Sequence, residues 1–109
     1  MISQILSELK VPFLRQYKFS DCFSNKKKCY KLPFDFYIPD YNSCVEYDGL
    51  QHFEPVKLFG GVKGFITRQI LDQIKNNYCE KNNINLIRIP YTLSTSEIIS
   101  LLKTKLGII

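Results

Sequence analysis

The stretch Pro33-Phe34-Asp35-Phe36-Tyr37-Ile38-Pro39-Asp40-Tyr41-Asn42-Ser43-Cys44-Val45-Glu46-Tyr47-Asp48-Gly49-Leu50-Gln51-His52-Phe53 decides how this chain folds. Phe34, Phe36 and Ile38 alternate with Asp35 and Tyr37, the period-two pattern of a half-buried strand. Pro39 to Asn42 carries turn chemistry, and beyond it Cys44, Glu46 and Asp48 alternate with Val45 and Tyr47. A hairpin loop at 39–42 pairs Ile38 with Ser43 and therefore sets Asp35 opposite Glu46. Directly opposed residues share a sheet face. Asp35, Glu46 and Asp48 then point one way, with Gln51 and His52 just past the strand end. A slip of one residue would send Glu46 to the other face.

Three carboxylates on one face repel one another, and a purely structural sheet avoids that. A hard divalent cation relieves the repulsion, because Mg²⁺ takes one or two carboxylates and keeps positions for water and phosphate. The plain alternative is three solvated carboxylates on an exposed face. Their alternation with apolar residues, and the closing Asp48-Gly49-x-Gln51-His52, favour a site. No other histidine occurs in the chain.

A strand Asp, a hairpin and then Glu-x-Asp resembles the PD-(D/E)XK nuclease superfamily. Phe34-Asp35-Phe36-Tyr37-Ile38-Pro39 with Glu46-Tyr47-Asp48-Gly49-Leu50-Gln51-His52 is similar, more closely, to the EDxHD endonucleases. These are relatives of the very-short-patch mismatch repair endonuclease, found as phage and viral homing enzymes. The resemblance runs over roughly residues 11–91. It implies a metal-dependent endonuclease that hydrolyses DNA phosphodiester bonds with Mg²⁺ or Mn²⁺. Asp35 would be the principal metal ligand, aided by Glu46 or Asp48. His52 would be general base or acid, and Gln51 would orient water or hold a phosphate. The Lys of the superfamily name is absent, its place holding Asp48, as in the EDxHD subgroup. Relatives also place a Gly-Glu pair near the start of the first helix. That Glu would fall just before Met1, and Glu8 reads as a solvated helix residue. A catalytically silent DNA-binding or regulatory module with the same fold is therefore the alternative, and an RNA-processing nuclease is a third reading.

At 109 residues the chain reads as one nuclease-like domain, 1–109. A hydrophobic content of 45% fits a packed core and not a disordered chain. No apolar run is long enough for a membrane span, and the N-terminus lacks a basic leader. The expected setting is intracellular, with no membrane partner. The net charge of +5 is compatible with a polyanion such as DNA. A single site suits nicking, and a homodimer would cut both strands. Cys22, Cys29, Cys44 and Cys79 lack the spacing of a zinc ribbon and read as free thiols, so zinc is not expected.

In order, the pattern predicts a helix over 2–10, stopped by Pro12, and a strand over 13–19 with Phe13, Arg15, Tyr17 and Phe19 on one face. A loop over 20–31 follows, in which Lys26, Lys27, Lys28 and Lys31 form the densest positive cluster, a candidate DNA-phosphate contact or a solvated surface. A loop runs to Gly60-Gly61. A long helix over about 62–82 carries an apolar stripe of Leu71, Ile74 and Tyr78 with Ile70, and beside it Arg68, Asp72, Lys75 and Cys79. The second stripe reads either as surface ion pairing or, by the resemblance, as a face presenting Asp72 and Lys75 to the site, with Arg68 near DNA. An apolar strand at 84–91 precedes Ser94-Thr95-Ser96-Glu97, a capping box, and a closing helix that Gly107 stops. The expected fold is α/β in the order αβββαβα, a small mixed sheet with helices on both sides, as in restriction-endonuclease-like cores.

Overall fold

A computed structural model describes residues 1–24 and 30–108. The elements are α1 (Ile2–Glu8), β1 (Leu14–Phe23), β2 (Lys31–Ile38), β3 (Ser43–Asp48), α2 (Gly61–Lys81), β4 (Asn85–Pro90) and α3 (Thr95–Leu106), the expected order. They form one mixed sheet, β1-β2-β3-β4, with β1 and β2 antiparallel, β2 and β3 antiparallel, and β3 and β4 parallel. The hairpin register is the expected one: Ile38 pairs with Ser43, and Phe36 with Val45. The turn between them is a 3-10 turn at Pro39–Tyr41, closed by Asn42 in the left-handed conformation at φ 44°. Asn tolerates that conformation better than a bulky residue does.

Each face of the sheet is covered. On one, Phe36, Ile38, Val45, Ile87 and Ile89 pack against Ile5 and Leu6 of α1 and Ile98 and Leu102 of α3. On the other, Phe34, Leu32 and Cys44 pack with Cys79 and the partly buried Leu71, Ile74 and Tyr78 of α2. Each fully buried Ile, Leu or Phe side chain contributes about 1.5–3 kcal/mol over its exposed state. The capping box at the start of α3 is present, with Ser94 Oγ accepting from Glu97 N and Glu97 Oε1 accepting from Ser94 N.

Four details differ from the sequence expectations. β1 runs on to Phe23 and β2 begins at Lys31, so the connection is shorter than the loop read over 20–31. Phe13, Arg15, Tyr17 and Phe19 do not share one face. Gln16 takes the left-handed conformation, φ 48°, inside β1, and Phe13 packs on the first core whereas Phe19 packs on the second. The paired strand turns at the same place: Phe36 and Ile38 join the first core, Leu32 and Phe34 the second. Asp35 lies at that turn, between the two layers. Third, Ile70 is not part of the packed stripe of α2; it is 56% exposed, and Val62 and Ile66 on the same outer side are exposed too. Fourth, the segment read as a plain loop over 53–61 includes a 3-10 turn at Lys57–Phe59, and another turn at Leu50–His52 precedes it.

α2 enters through a glycine-bound corner. Gly60 caps it at φ 91°, and a Cβ on Gly64 would lie 1.9 Å from the carbonyl oxygen of Phe59. No side chain fits there without moving the backbone. Gly64→Ala is expected to cost about 1–3 kcal/mol by overpacking, measured by chemical denaturation. Val62→Ala, at a position 63% exposed, should stay within about 0.5 kcal/mol.

Candidate active site

Cys44, Glu46 and Asp48 project from β3 toward α2, and the residues that meet them are those of the charged helix stripe. Lys75 and Cys79 are the buried residues of α2. The stripe is thus the inner face of the helix and not a solvated row of ion pairs. Lys75 Nζ donates to Glu46 Oε1 at 2.5 Å and lies 5.1 Å from the centre of the Phe34 ring. Both side chains are removed from water, 8% and 4% exposed. A carboxylate and an ammonium tolerate such burial only as a pair. Even so, burial pushes the Glu46 carboxyl up to about 7; Lys75 pulls it down and the negative charge of Asp35 raises it further.

Asp48 meets a different set of partners. Arg88 of β4 donates from one terminal nitrogen to both carboxylate oxygens, at 3.0 and 3.2 Å. The other terminal nitrogen donates to the Asp72 carbonyl oxygen at 3.2 Å, and Nε donates to Asn76 Oδ1 at 3.0 Å. His52 Nδ1 faces Asp72 Oδ2 at 2.8 Å and Asp48 Oδ1 at 3.4 Å. Carboxylates only accept, so Nδ1 carries the proton. In the neutral ring the lone pair then sits on Nε2. The 3-10 turn at Leu50–His52 aims the ring, and Gln69 Nε2 holds it by donating to the His52 carbonyl oxygen at 2.7 Å.

Gln51 is half-buried, and its amide folds back over Gly49: a Cβ there would lie 2.7 Å from Gln51 Oε1. A side chain at position 49 would displace the Gln51 amide from this place.

Asp35 stands apart. Its Oδ2 accepts from the Tyr47 backbone N–H at 2.7 Å. Among the described residues it has no cationic partner, whereas Glu46 has Lys75 and Asp48 has Arg88. It lines an open cleft of about 360 Å³ with Met1, Ile2, Arg15, Gln16, Phe36 and Tyr47.

The structure therefore brings together Glu46 with Lys75, Asp35 beside Glu46, and Asp48 with His52, which also meets Asp72. The three carboxylates do not converge on one point: among the described residues, no group of three His, Cys, Asp or Glu side chains is placed to hold an ion. Arg68 is half-buried on α2, and Lys31 is exposed at the start of β2. Lys26, Lys27, Lys28 and Cys29 lie outside the described residues. Cys22, Cys44 and Cys79 are free, buried thiols of the second core, and burial pushes Cys22 up to about 11. Arg88 and Asn76 were not foreseen. The available signal was one charged residue inside the apolar run Ile84-Asn85-Leu86-Ile87-Arg88-Ile89-Pro90-Tyr91.

No family model matches the chain, and no solved structure matches it. It is 37% identical over 71 residues to uncharacterized protein 307L of Invertebrate iridescent virus 6, covering 64% of this chain and 36% of that protein. It is 35% identical over 68 residues to uncharacterized protein 094L of Frog virus 3, covering 61% of this chain and 44% of that protein. Uncharacterized protein 033L of Invertebrate iridescent virus 3 is 34% identical over 68 residues, 62% of this chain and 35% of that protein. The chain thus spans less than half the length of the curated relatives it matches.

Proposed function

We propose that this domain is a metal-dependent endonuclease of the PD-(D/E)XK type, close to the EDxHD branch, and that it hydrolyses phosphodiester bonds in DNA. The observation that carries the reading is the arrangement around Asp35. A carboxylate without a cation partner faces an open cleft, beside a second carboxylate whose proton affinity is raised. Like charges held this way are the usual mark of a functional site. The order αβββαβα and the mixed sheet agree with a restriction-endonuclease-like core.

Asp35 and Glu46 suit a hard divalent cation, Mg²⁺ or Mn²⁺, because their mutual repulsion is what such an ion relieves. The donor set supports two protein ligands and leaves Asp48 to a different task. When bound, the ion supplies a Lewis acid for a phosphoryl oxygen. The chain's own residues supply the rest. His52 Nε2 accepts the proton of the attacking water while Asp72 and Asp48 hold Nδ1–H. Lys75 offsets the charge of Glu46. Gln51, next in sequence to His52, would offer its amide to water or phosphate. Water adds to phosphorus, its proton passes to Nε2, and the bond to the leaving sugar oxygen breaks, that oxygen taking a proton from solvent water.

The second reading is a silent DNA-binding module. The prior engagement of Glu46 and Asp48 by Lys75 and Arg88 favours it. Nicking of supercoiled plasmid by the purified chain with Mg²⁺ or Mn²⁺ separates the two. The endonuclease reading expects metal-dependent nicks that Asp35→Asn abolishes. Binding without cleavage in either metal would leave the silent module.

Stability gives independent checks. Asp35 raises the proton affinity of Glu46, so Asp35→Asn relieves repulsion. The variant should be as stable as wild type or more stable, by about 1 kcal/mol or less at pH 8. A clear loss in denaturant titrations would contradict the role given to Asp35.

Glu46 binds its proton more tightly folded than unfolded, up to about 7 against an ordinary value of 4.5. The folded state therefore holds more protons in that window. The Glu46 contribution is fully present below about pH 4.5 and is lost as pH rises through about 7. Between pH 5 and 8 wild type should lose about 2–3 kcal/mol relative to Glu46→Gln, read as the change in their stability difference. A difference that does not vary with pH would refute the raised carboxyl.

A further inference from the structure

We infer that Arg88 is the positioning residue of this site: it holds Asp48 and Asp72 in the one arrangement that fixes the His52 proton on Nδ1 and leaves Nε2 free. The inference deepens the endonuclease reading and rests on it for the word "site", but its central test does not need cleavage.

Arg88 is placed by the sheet. β3 and β4 are parallel, with Glu46 paired to Arg88 and Tyr47 to Ile89. Ile87 and Ile89 are buried in the first core. Alternation along the strand then sends Arg88 to the α2 side, among the charged groups. Its guanidinium reaches three separate acceptors: the Asp48 carboxylate, the Asp72 carbonyl oxygen and Asn76 Oδ1. One planar fork thereby ties β3 to two successive turns of α2. Arg does this with a rigid set of donors that Lys lacks.

The consequence is geometric. Asp48 sits on β3 and Asp72 on α2, and His52 Nδ1 lies between them at 3.4 and 2.8 Å. Both carboxylates must stay put for Nδ1 to face acceptors only. Arg88 touches both residues and does not touch His52. Without it, Asp48 keeps only His52 as a side-chain partner among the described residues and can turn away, and the Asp72 turn of α2 loses one of its ties to the sheet, Lys75–Glu46 remaining. The ring is then free to adopt the Nε2–H form that an unconstrained imidazole favours. That form has no base on the nitrogen facing away from the carboxylates. Groups that orient a reacting side chain in this way commonly matter about 10–100-fold to rate.

The chain has a single histidine, so one imidazole reports the arrangement. The experiment is the nitrogen-15 spectrum of His52 in the DNA-free and metal-free protein, at a pH where the ring is neutral. The nitrogen shifts identify which atom is protonated. Wild type should show the Nδ1–H form. Arg88→Gln should move the population to Nε2–H, and Arg88→Lys should fall between. Plasmid nicking by Arg88→Gln should drop about 10–100-fold in kcat with KM little changed. An unaltered tautomer in a folded Arg88→Gln protein overturns the inference. If that variant does not fold, Asn76→Ala removes one of the three acceptors at an exposed residue. It should shift the tautomer the same way, and an unaltered tautomer there overturns the inference too. If wild type never nicks DNA but the tautomer responds to Arg88, the endonuclease reading fails while the positioning role stands.

Discussion

The contact between Lys75 of α2 and Glu46 of β3 is the constraint on which the rest of this structure depends. It crosses the layer between helix and sheet, and neither group is in contact with bulk water to any useful extent. Removing one partner of such a pair typically costs about 3–5 kcal/mol, because the other charge is left buried alone. A Leu–Leu contact of similar volume would stabilise the interface at least as well. What the pair marks is one meeting point of α2 with the sheet, since both charges are satisfied where Lys75 faces Glu46. That position brings Asp72, one turn earlier on the helix, to His52, and Asn76 to Arg88. The glycine corner at Gly60 and Gly64 sets the start of the same helix. Its geometry and the ion pair agree on where the helix lies.

At this meeting of helix and sheet, three carboxylates of similar sequence context are divided. Glu46 is neutralised by Lys75 and Asp48 by Arg88, each by a cation from a different element. Asp35 accepts the Tyr47 backbone N–H and lies beside the Glu46 carboxyl, with no cation partner among the described residues. It lies where β2 turns from one core layer to the other, opposite the left-handed Gln16 of β1. Irregular positions in strands often re-aim a side chain next to a functional site. Here the irregular Gln16 and Asp35 line the same open cleft.

Much of this was legible in the chain itself. The turn residues at 39–42 gave the hairpin register to the residue, because a four-residue loop there pairs Ile38 with Ser43. The capping box at Ser94 and the order of elements were equally plain. The charged stripe was harder. Spacing placed Arg68, Asp72, Lys75 and Cys79 on one helical face but could not say whether that face looks out or in. The apolar residues of α2 are spread around the helix, so amphipathicity pointed both ways: Ile70, which reads as core, is exposed, and Lys75, which reads as surface, is buried. Only the partner on β3 decides it. The bend at Gln16 left no trace, since nothing in Arg15-Gln16-Tyr17 marks a positive φ.

Arg88 shows the same limit from the other side. A charged residue between Ile87 and Ile89 is easily read as the solvated face of an edge strand. Its burial among acceptors depends on α2 crossing that face, which the strand's own sequence does not encode. Yet the parallel pairing of β3 with β4 makes the arrangement nearly unavoidable once it is known. Residues of like parity on the two strands face the same helix, so a β3 carrying acids at 46 and 48 calls for a base at 88. Two of the three acids, Glu46 and Asp48, are balanced by cations of the fold, and Asp35 has no such partner among the described residues.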